Sequence, residues 1–455
     1  MLLPASAILA AALLSTPPTA PPEPVTAFVN VTVIPMDRER VIPNQTVIVR
    51  GERIVEIGPA SRVKVPEGGT RVDGRGKYLI PGLAEMHAHI PGGQAPDSLV
   101  ERVLYLYVSG GITTVRGMLG HPRHLEYRAR AARGELVSPT IYTSGPSLNG
   151  NSVPTPEAAA KAVTEQKQAG YDFLKIHPGI KREVFDTLAA TAHRAGMRFA
   201  GHVPLDVGLQ RALEARYWTI DHLDGYVEAM VRAGSPLDAS QSAFFGLNLA
   251  GYADETKMAA LVAATRKAGV WNVPTEVLMD NLVVGGSAEE LAARPEMRYV
   301  APATLAQWAE TKGSLIQETG ATVESARRTI ELRRKLIKAL HAGGAGLLLG
   351  SDAPQVYNVP GFSTHRELEA LVAAGLTPFQ ALETGTRNVA EFFGTLESTG
   401  TIDNGKRADL ILLDADPLAD IRNTTRRSGV MLRGRWIPQS EIDAKLAEIA
   451  KSVKG

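Results

Sequence analysis

The chain has 455 residues, of which 44% are apolar and 21% charged, with 49 basic and 48 acidic side chains and a net charge of +1. That length exceeds one average domain but suits an α/β barrel with insertions, and the balanced charge argues against nucleic acid or an anionic membrane as partner. There is no cysteine, which excludes disulfides, thiolate ligands and a cysteine nucleophile and leaves His, Asp, Glu and Lys for any metal chemistry.

The first 25 residues read as a leader and spacer. An alanine-rich apolar run over 5–14, too short to span a bilayer, is followed by a proline-rich stretch over 15–22. No Lys or Arg precedes Arg38, so the usual basic start is missing, and a non-processed tail on a cytoplasmic protein is the competing reading. The segment predicts a periplasmic or secreted protein with no membrane association in its mature form.

Residues 28–34, 45–49 and 53–57 are β-rich, and Gly51, Gly58-Pro59 and Gly68-Gly69 punctuate them. The same texture returns at 400–402, 408–413 and 429–434. Segments 26–77 and 396–440 are therefore predicted to form one small β-sandwich, with 441–455 as a C-terminal helix or tail. Between them, 78–395 alternates short apolar strands with helical stretches such as 156–168, 182–194, 256–267 and 322–341. Strands are expected at 78–89, 112–116, 140–144, 172–177, 198–202, 218–222, 270–275 and 346–352. Eight such units predict a closed (β/α)8 TIM barrel, with 280–315 as a helical insertion after the seventh strand.

Strand one ends Glu85-Met86-His87-Ala88-His89. Side chains alternate faces along a strand, so the two imidazoles share one face and can chelate a single metal ion. Surface or core histidines are the competing reading for this pair alone. Strand four carries Lys175 among apolar neighbours, on the face of Phe173 and His177; a buried ammonium needs a carboxylate partner or a modification. His202 and His222 close strands five and six, and Asp352 closes the apolar strand eight, as a ligand, a base or a helix cap. His87, His89, Lys175, His202, His222 and Asp352 thus all fall at C-terminal strand ends, where barrel enzymes place their chemistry.

This set resembles the amidohydrolase superfamily over nearly the whole chain. Further marks are Leu79-Ile80-Pro81-Gly82-Leu83, Gly111-Ile112-Thr113-Thr114-Val115-Arg116 and Gly350-Ser351-Asp352-Ala353, followed by Asn388-Val389-Ala390, Gly400-Thr401-Ile402 and Gly405-Lys406-Arg407-Ala408-Asp409-Leu410-Ile411. The nearest likeness is to the prolidase-like, imidazolonepropionase-related branch, which includes ochratoxin-hydrolysing members. The resemblance implies two divalent metal ions, usually Zn2+. His87, His89 and Asp352 would hold one and His202 and His222 the other, bridged by Lys175 as N6-carboxylysine, which requires CO2 or bicarbonate. It implies hydrolysis of a small-molecule amide, such as a dipeptide, an Xaa-Pro bond or an N-acyl amino acid, with a hydroxide between the metals as nucleophile and Asp352 as proton shuttle. A lactonase or phosphotriesterase on the same site, and a non-catalytic binding protein on the same scaffold, are the alternatives; a homo-oligomer is compatible with all three.

Candidate substrate contacts are His177, Arg116, Tyr142, Tyr226 and His365, each near a strand end. For Arg116 an internal ion pair competes, and for His365 a capping role. Gly343-Gly344-Ala345-Gly346 precedes a strand instead of following one, which argues against a phosphate loop.

Overall fold

The computed structural model describes residues 23–320 and 322–453. The leader-like segment lies outside the described residues up to residue 22. Among the described residues no helix is long and apolar enough to cross a membrane.

The amino-terminal strands are β1 (Val25–Val33), β2 (Ile42–Arg50), β3 (Arg53–Pro59), β4 (Thr70–Asp73) and β5 (Tyr78–Pro81). Seven short strands follow: β6 (Leu83–Ala88), β7 (Ile112–Gly117), β8 (Thr140–Thr143), β9 (Phe173–Ile176), β10 (Arg198–Gly201), β11 (Thr219–Asp221) and β12 (Trp271–Val273). The last are β13 (Leu410–Leu413), β14 (Arg427–Leu432) and β15 (Arg435–Pro438).

Both ends of the chain build one eight-stranded sheet, in the order β15-β14-β13-β5-β1-β2-β3 with β4 beside β1. Its two faces are both apolar. Phe28, Val31, Val47, Leu79, Leu410 and Leu412 pack together on one side, whereas Ile80, Ile411 and Leu413 join the main core. This is why β13 reads as an unbroken Leu-Ile-Leu-Leu run and not as an alternating one.

The stretch expected as a single first barrel strand over 78–89 is two strands. β5 pairs with β1 and β13, whereas β6 pairs in parallel with β7. The break is at Gly82, where a Cβ would stand 2.3 Å from Thr113 Oγ1. The chain passes there from one sheet to another through a gap that only glycine fits.

β6-β7-β8 and β9-β10-β11-β12 are two parallel sheets. Isolated parallel bridges Ser144↔Phe173, Leu148↔Ile176, Asn272↔Leu347 and Ala88↔Ala353 run between their edges and the 346–353 segment. The predicted strand at 346–352 is not a strand, because its ladder is interrupted. Ser351 N–H donates to Glu85 Oε1 at 2.6 Å instead of to a carbonyl, and Asp352 adopts φ +64°. Helices separate the parallel strands; Pro156–Ala169 shows why they begin and end where they do. Thr155 caps its start through Ala158 N–H, proline opens the first turn, and Gly170 ends it at φ +86°. The expected insertion at 280–315 is helical, and Leu282, Leu291, Met297 and Trp308 pack with Tyr357.

Candidate metal centre

Along β6 the alternation places Glu85, His87 and His89 on one face. His87 is buried and the His89 side chain is 18% exposed. One oxygen, Asp352 Oδ1, stands 2.7 Å from His89 Nε2 and 3.7 Å from His87 Nε2. One ligand atom from each of the three lies within 4.8 Å of the others. Across the sheet, β9 brings Lys175 level with Ala200 of β10. Gly201 follows at φ +124°, and a Cβ there would stand 2.9 Å from Lys175 Cδ, so glycine leaves room for the lysine stem. His202 and His222 follow β10 and β11, their rings stacked 4.6 Å apart, and His87 lies 4.5 Å from His222. The six residues converge.

Two of these groups, Lys175 Nζ and His87 Nδ1, are buried without a hydrogen-bond partner, and Asp352 Oδ1 has only the His89 ring nitrogen at 2.7 Å. Lys175 Nζ is 3.9 Å from Asp221 Oδ2. His87 Nδ1 approaches the same oxygen to 3.0 Å but off the hydrogen-bond direction. Orphaned buried polar atoms are costly; a carboxylate oxygen and a neutral imidazole nitrogen carry lone pairs suited to a cation, and a lysine nitrogen does so once it has lost its proton. Burial holds His87 and His222 well below the usual imidazole range. Burial also lowers the Lys175 ammonium, although Asp221 and Asp352 oppose it. For Asp352 burial acts upward, but His87, His89 and Lys175 outweigh it and hold the carboxyl well below its ordinary range. Neutral imidazoles and a carboxylate are the forms that bind divalent metal, and burial moves the Lys175 ammonium toward the uncharged amine that takes up CO2. His87, His89 and Asp352 fit a divalent cation.

A surrounding layer orients these ligands, as metal sites require. His202 Nδ1 lies 2.8 Å from Asp224 Oδ2, and His222 Nδ1 lies 2.8 Å from Thr275 Oγ1. Glu85 accepts from His87 N–H at 3.1 Å, Ser351 Oγ at 2.7 Å and Thr364 Oγ1 at 2.8 Å, besides Ser351 N–H. Burial pushes its carboxyl up to about 7 against those donors. Asp221 accepts from Arg116, at 3.2 Å, and from Thr219 Oγ1, at 2.6 Å. Backbone strain gathers here as well: His222, Leu223, Thr275, Asp352, Val356 and Tyr357 all have positive φ. Such conformations persist where the surroundings over-determine them, as they do at functional sites.

The expected substrate contacts divide sharply. His177 stays at the site, half-buried, its ring 4.9 Å from His202; burial, with Lys175 and His202 nearby, takes it down to about 2. Arg116 does not face a substrate. Its donors go to Met86 O, Thr219 Oγ1 and Asp221, and it is fully buried. Tyr142 stacks on Phe393 at 3.8 Å and lines a small cavity with Thr113, Gly385 and Arg407, away from the ligands. Tyr226 is buried with its hydroxyl 2.7 Å from Thr265 Oγ1. His365 is buried between Thr424 Oγ1 and Gly110 O, at 2.9 and 2.8 Å. A cavity of about 800 Å3 between the helices Asp97–Ser109 and Gln439–Ser452 involves none of these residues. Donor chemistry marks the site, and cavity size does not.

Sequence reasoning missed Glu85, Asp221, Asp224 and Thr275. Glu85 carried a usable signal, since it lies two residues before His87 on the same face. Thr275 carried none, because φ +49° brings it to His222 from another strand.

Residues 78–437 match the Amidohydrolase family. An adenine deaminase of Rubrobacter xylanophilus is 25% identical over 403 residues, 86% of this chain and 54% of that protein, so the chain spans about half that relative's length. An imidazolonepropionase of Symbiobacterium thermophilum is 27% identical over 401 residues, 82% of this chain and 84% of that one. Among solved structures, a Xaa-Pro dipeptidase with bound methionine in the active site has a similar fold. Its TM-score is 0.66 at 18% identity, over 91% of this chain and 100% of that one.

Proposed function

The chain belongs to the amidohydrolase family, and from that premise we propose that it is a metal-dependent hydrolase cleaving a carbon–nitrogen bond of amide or dipeptide type. The observation that carries this reading is Lys175 Nζ, buried without a hydrogen-bond partner on the sheet whose next two strands lead to His202 and His222. His87, His89 and Asp352 would hold one divalent ion and His202 and His222 a second, and Lys175, once carboxylated by CO2, would supply a further oxygen donor. Zinc suits this all-nitrogen and oxygen donor set. Bound cations of this kind act as a Lewis acid and lower the pKa of water.

The chain's own groups do the rest. Asp352 takes the proton of the attacking water and delivers it to the leaving nitrogen, which departs poorly unless protonated. Asp224 and Thr275 fix the ring orientations of His202 and His222, and His177 lines the space beside His202. The two parallel sheets and the 346–353 segment are read as one (β/α)8 barrel, supported by the bridges at their edges. Segments 26–77 and 396–440 are read as a β-sandwich beside it. Export rests on the leader-like residues alone.

The adenine deaminase relative favours a second reading, release of ammonia from a ring carbon. Metal analysis and a substrate panel on one sample separate the possibilities. We expect about two metals per chain and turnover of Xaa-Pro dipeptides or N-acyl amino acids, both lost in Lys175→Ala. Ammonia from adenine without amide turnover supports the second reading, and lactone or phosphotriester turnover alone points to ester hydrolysis. Fewer than about one metal per chain after loading in bicarbonate would leave a binding protein on this scaffold.

A further inference from the structure

Most of the strained residues at the site belong to strand ends that carry ligands or touch them. Phe245 does not. It lies in the 231–257 segment between β11 and β12, in a short turn (Phe244–Gly246), at φ +55° and ψ +31°. For a bulky aromatic residue that is a true outlier, and its strain calls for a cause. The ring lies 5.1 Å from His222 and 6.0 Å from His202, within 16° of parallel to the latter. Phe244 braces it edge-on at 4.3 Å.

The turn is held in place from several sides. Ser242 Oγ donates to Glu228 Oε1 at 2.5 Å, and Ala243 N–H donates to Asn248 Oδ1 at 2.9 Å. Gly246 presses so closely on Val227 that a Cβ would stand 2.7 Å away. Asp224 and Thr275 already orient the two imidazoles, so the ring is not needed for that. Phe245 is only half-buried, which leaves part of its surface free beside the His202–His222 pair.

We propose that Phe245 is a specificity-determining residue: its half-buried ring, held at positive φ beside His202 and His222, forms an apolar wall against which a flat apolar group of the substrate packs. This rests on the metal-hydrolase reading and adds a preference to it. Substrates or inhibitors with an aryl group next to the metal-binding carbonyl are favoured over their methyl counterparts.

Benzohydroxamate and acetohydroxamate share a chelating group and differ in the group beside it, so the ratio of their dissociation constants on the zinc-loaded protein reads this wall without any turnover. We expect the wild type to favour benzohydroxamate and Phe245→Gly to lose roughly tenfold of that preference, as for an aromatic pair plus its buried area. Phe245→Ala should lose the preference equally. Phe245→Gly should melt higher than Phe245→Ala, since glycine takes positive φ without strain. An unchanged ratio in both variants, with metal retained, overturns the role of Phe245 alone. A wild type that holds no zinc overturns the metal reading, and this one with it.

Discussion

Replacing Arg116 by methionine should destabilise the protein severely, because four polar contacts within and between the two parallel sheets depend on it. Its Nε–H donates to Met86 O at 2.7 Å, one η-nitrogen donates to Thr219 Oγ1 at 3.0 Å, and the other faces both Asp221 oxygens at 3.2 and 3.4 Å. The guanidinium also lies 5.5 and 5.6 Å from the rings of Phe173 and Phe392. Methionine keeps most of the apolar volume, so the loss is electrostatic. Asp221, fully buried, would keep the Thr219 hydroxyl, with Lys175 at 3.9 Å as its nearest cation. Stranding one partner of a buried pair costs about 3–5 kcal/mol. In a thermal scan of the metal-free protein this is a fall of roughly 3–5 °C for a chain of this size. Arg116→Met with Asp221→Asn should recover most of it, since removing both charges leaves no buried ion. A single variant within about 1 kcal/mol of wild type would show that Asp221 does not depend on Arg116. That result would also return the arginine to the candidate substrate contacts.

Three other outcomes follow from the same contacts. Asp224→Asn should weaken metal binding about 10–100-fold by releasing the His202 ring, measured by competition with a chelating dye; unchanged affinity would mean another group orients that histidine. Gly350→Ala places a Cβ 2.5 Å from Val273 Cγ1 and 2.8 Å from His87 N, where backbone cannot give way. It should cost about 1–3 kcal/mol in thermal stability and reduce metal uptake; a variant that melts and loads like wild type would refute the contact. Burial and the nearby Arg427 lower His365 to about 3, so the folded protein keeps it neutral while the unfolded chain protonates it below about 6.5. Its contribution is therefore full above about pH 6.5 and is lost as pH falls toward 3. His365→Gln should flatten that slope, and parallel melting curves against pH would rule the linkage out.

The residues that come together at the candidate centre were legible because each is a polar residue in or at the end of an apolar run, and period-two alternation fixes which strand neighbours share a face. The same rule could not place Arg116. Its partner Asp221 lies 105 residues away, and a strand-end arginine reads alike whether it faces a substrate or an internal carboxylate. Tyr226 and His365 fail for the same reason, since Thr265 and Thr424 meet them only through tertiary packing. The first predicted strand ran through Gly82 because an apolar run does not reveal that the chain changes sheet within it. The eighth was drawn as regular because nothing in Leu347-Leu348-Leu349 announces that Glu85 will take the Ser351 N–H from the ladder. Phe245 was illegible for a simpler reason: its position depends on backbone strain, and strain leaves no pattern in composition.

Two buried arginines explain how so many strand ends can carry ligands at once. At the C-terminal edge of a short parallel strand the last carbonyls have no ladder partner, and buried carbonyls need donors. Arg116 supplies one to Met86, beside His87. Arg333 donates to His222 O at 2.6 Å, to Pro274 O at 2.7 Å, beside Thr275, and to Glu276 Oε2 at 2.8 Å. Arg116 divides its fork between one backbone carbonyl and the Thr219 and Asp221 side chains, and Arg333 between two carbonyls and Glu276, a geometry that lysine, with a single ammonium, does not reproduce. The side chains of His87, His202 and His222 are thereby left free of backbone duty, and Lys175 Nζ and His87 Nδ1 stay without a hydrogen-bond partner among them, as do Asp224 Oδ1 and Glu276 Oε1 in the surrounding layer. Backbone carbonyls satisfied at the strand ends beside buried side-chain atoms left without a partner are what a cation site offers before the cation is counted. The surrounding arginines are therefore as much a part of that site as the ligands they leave free.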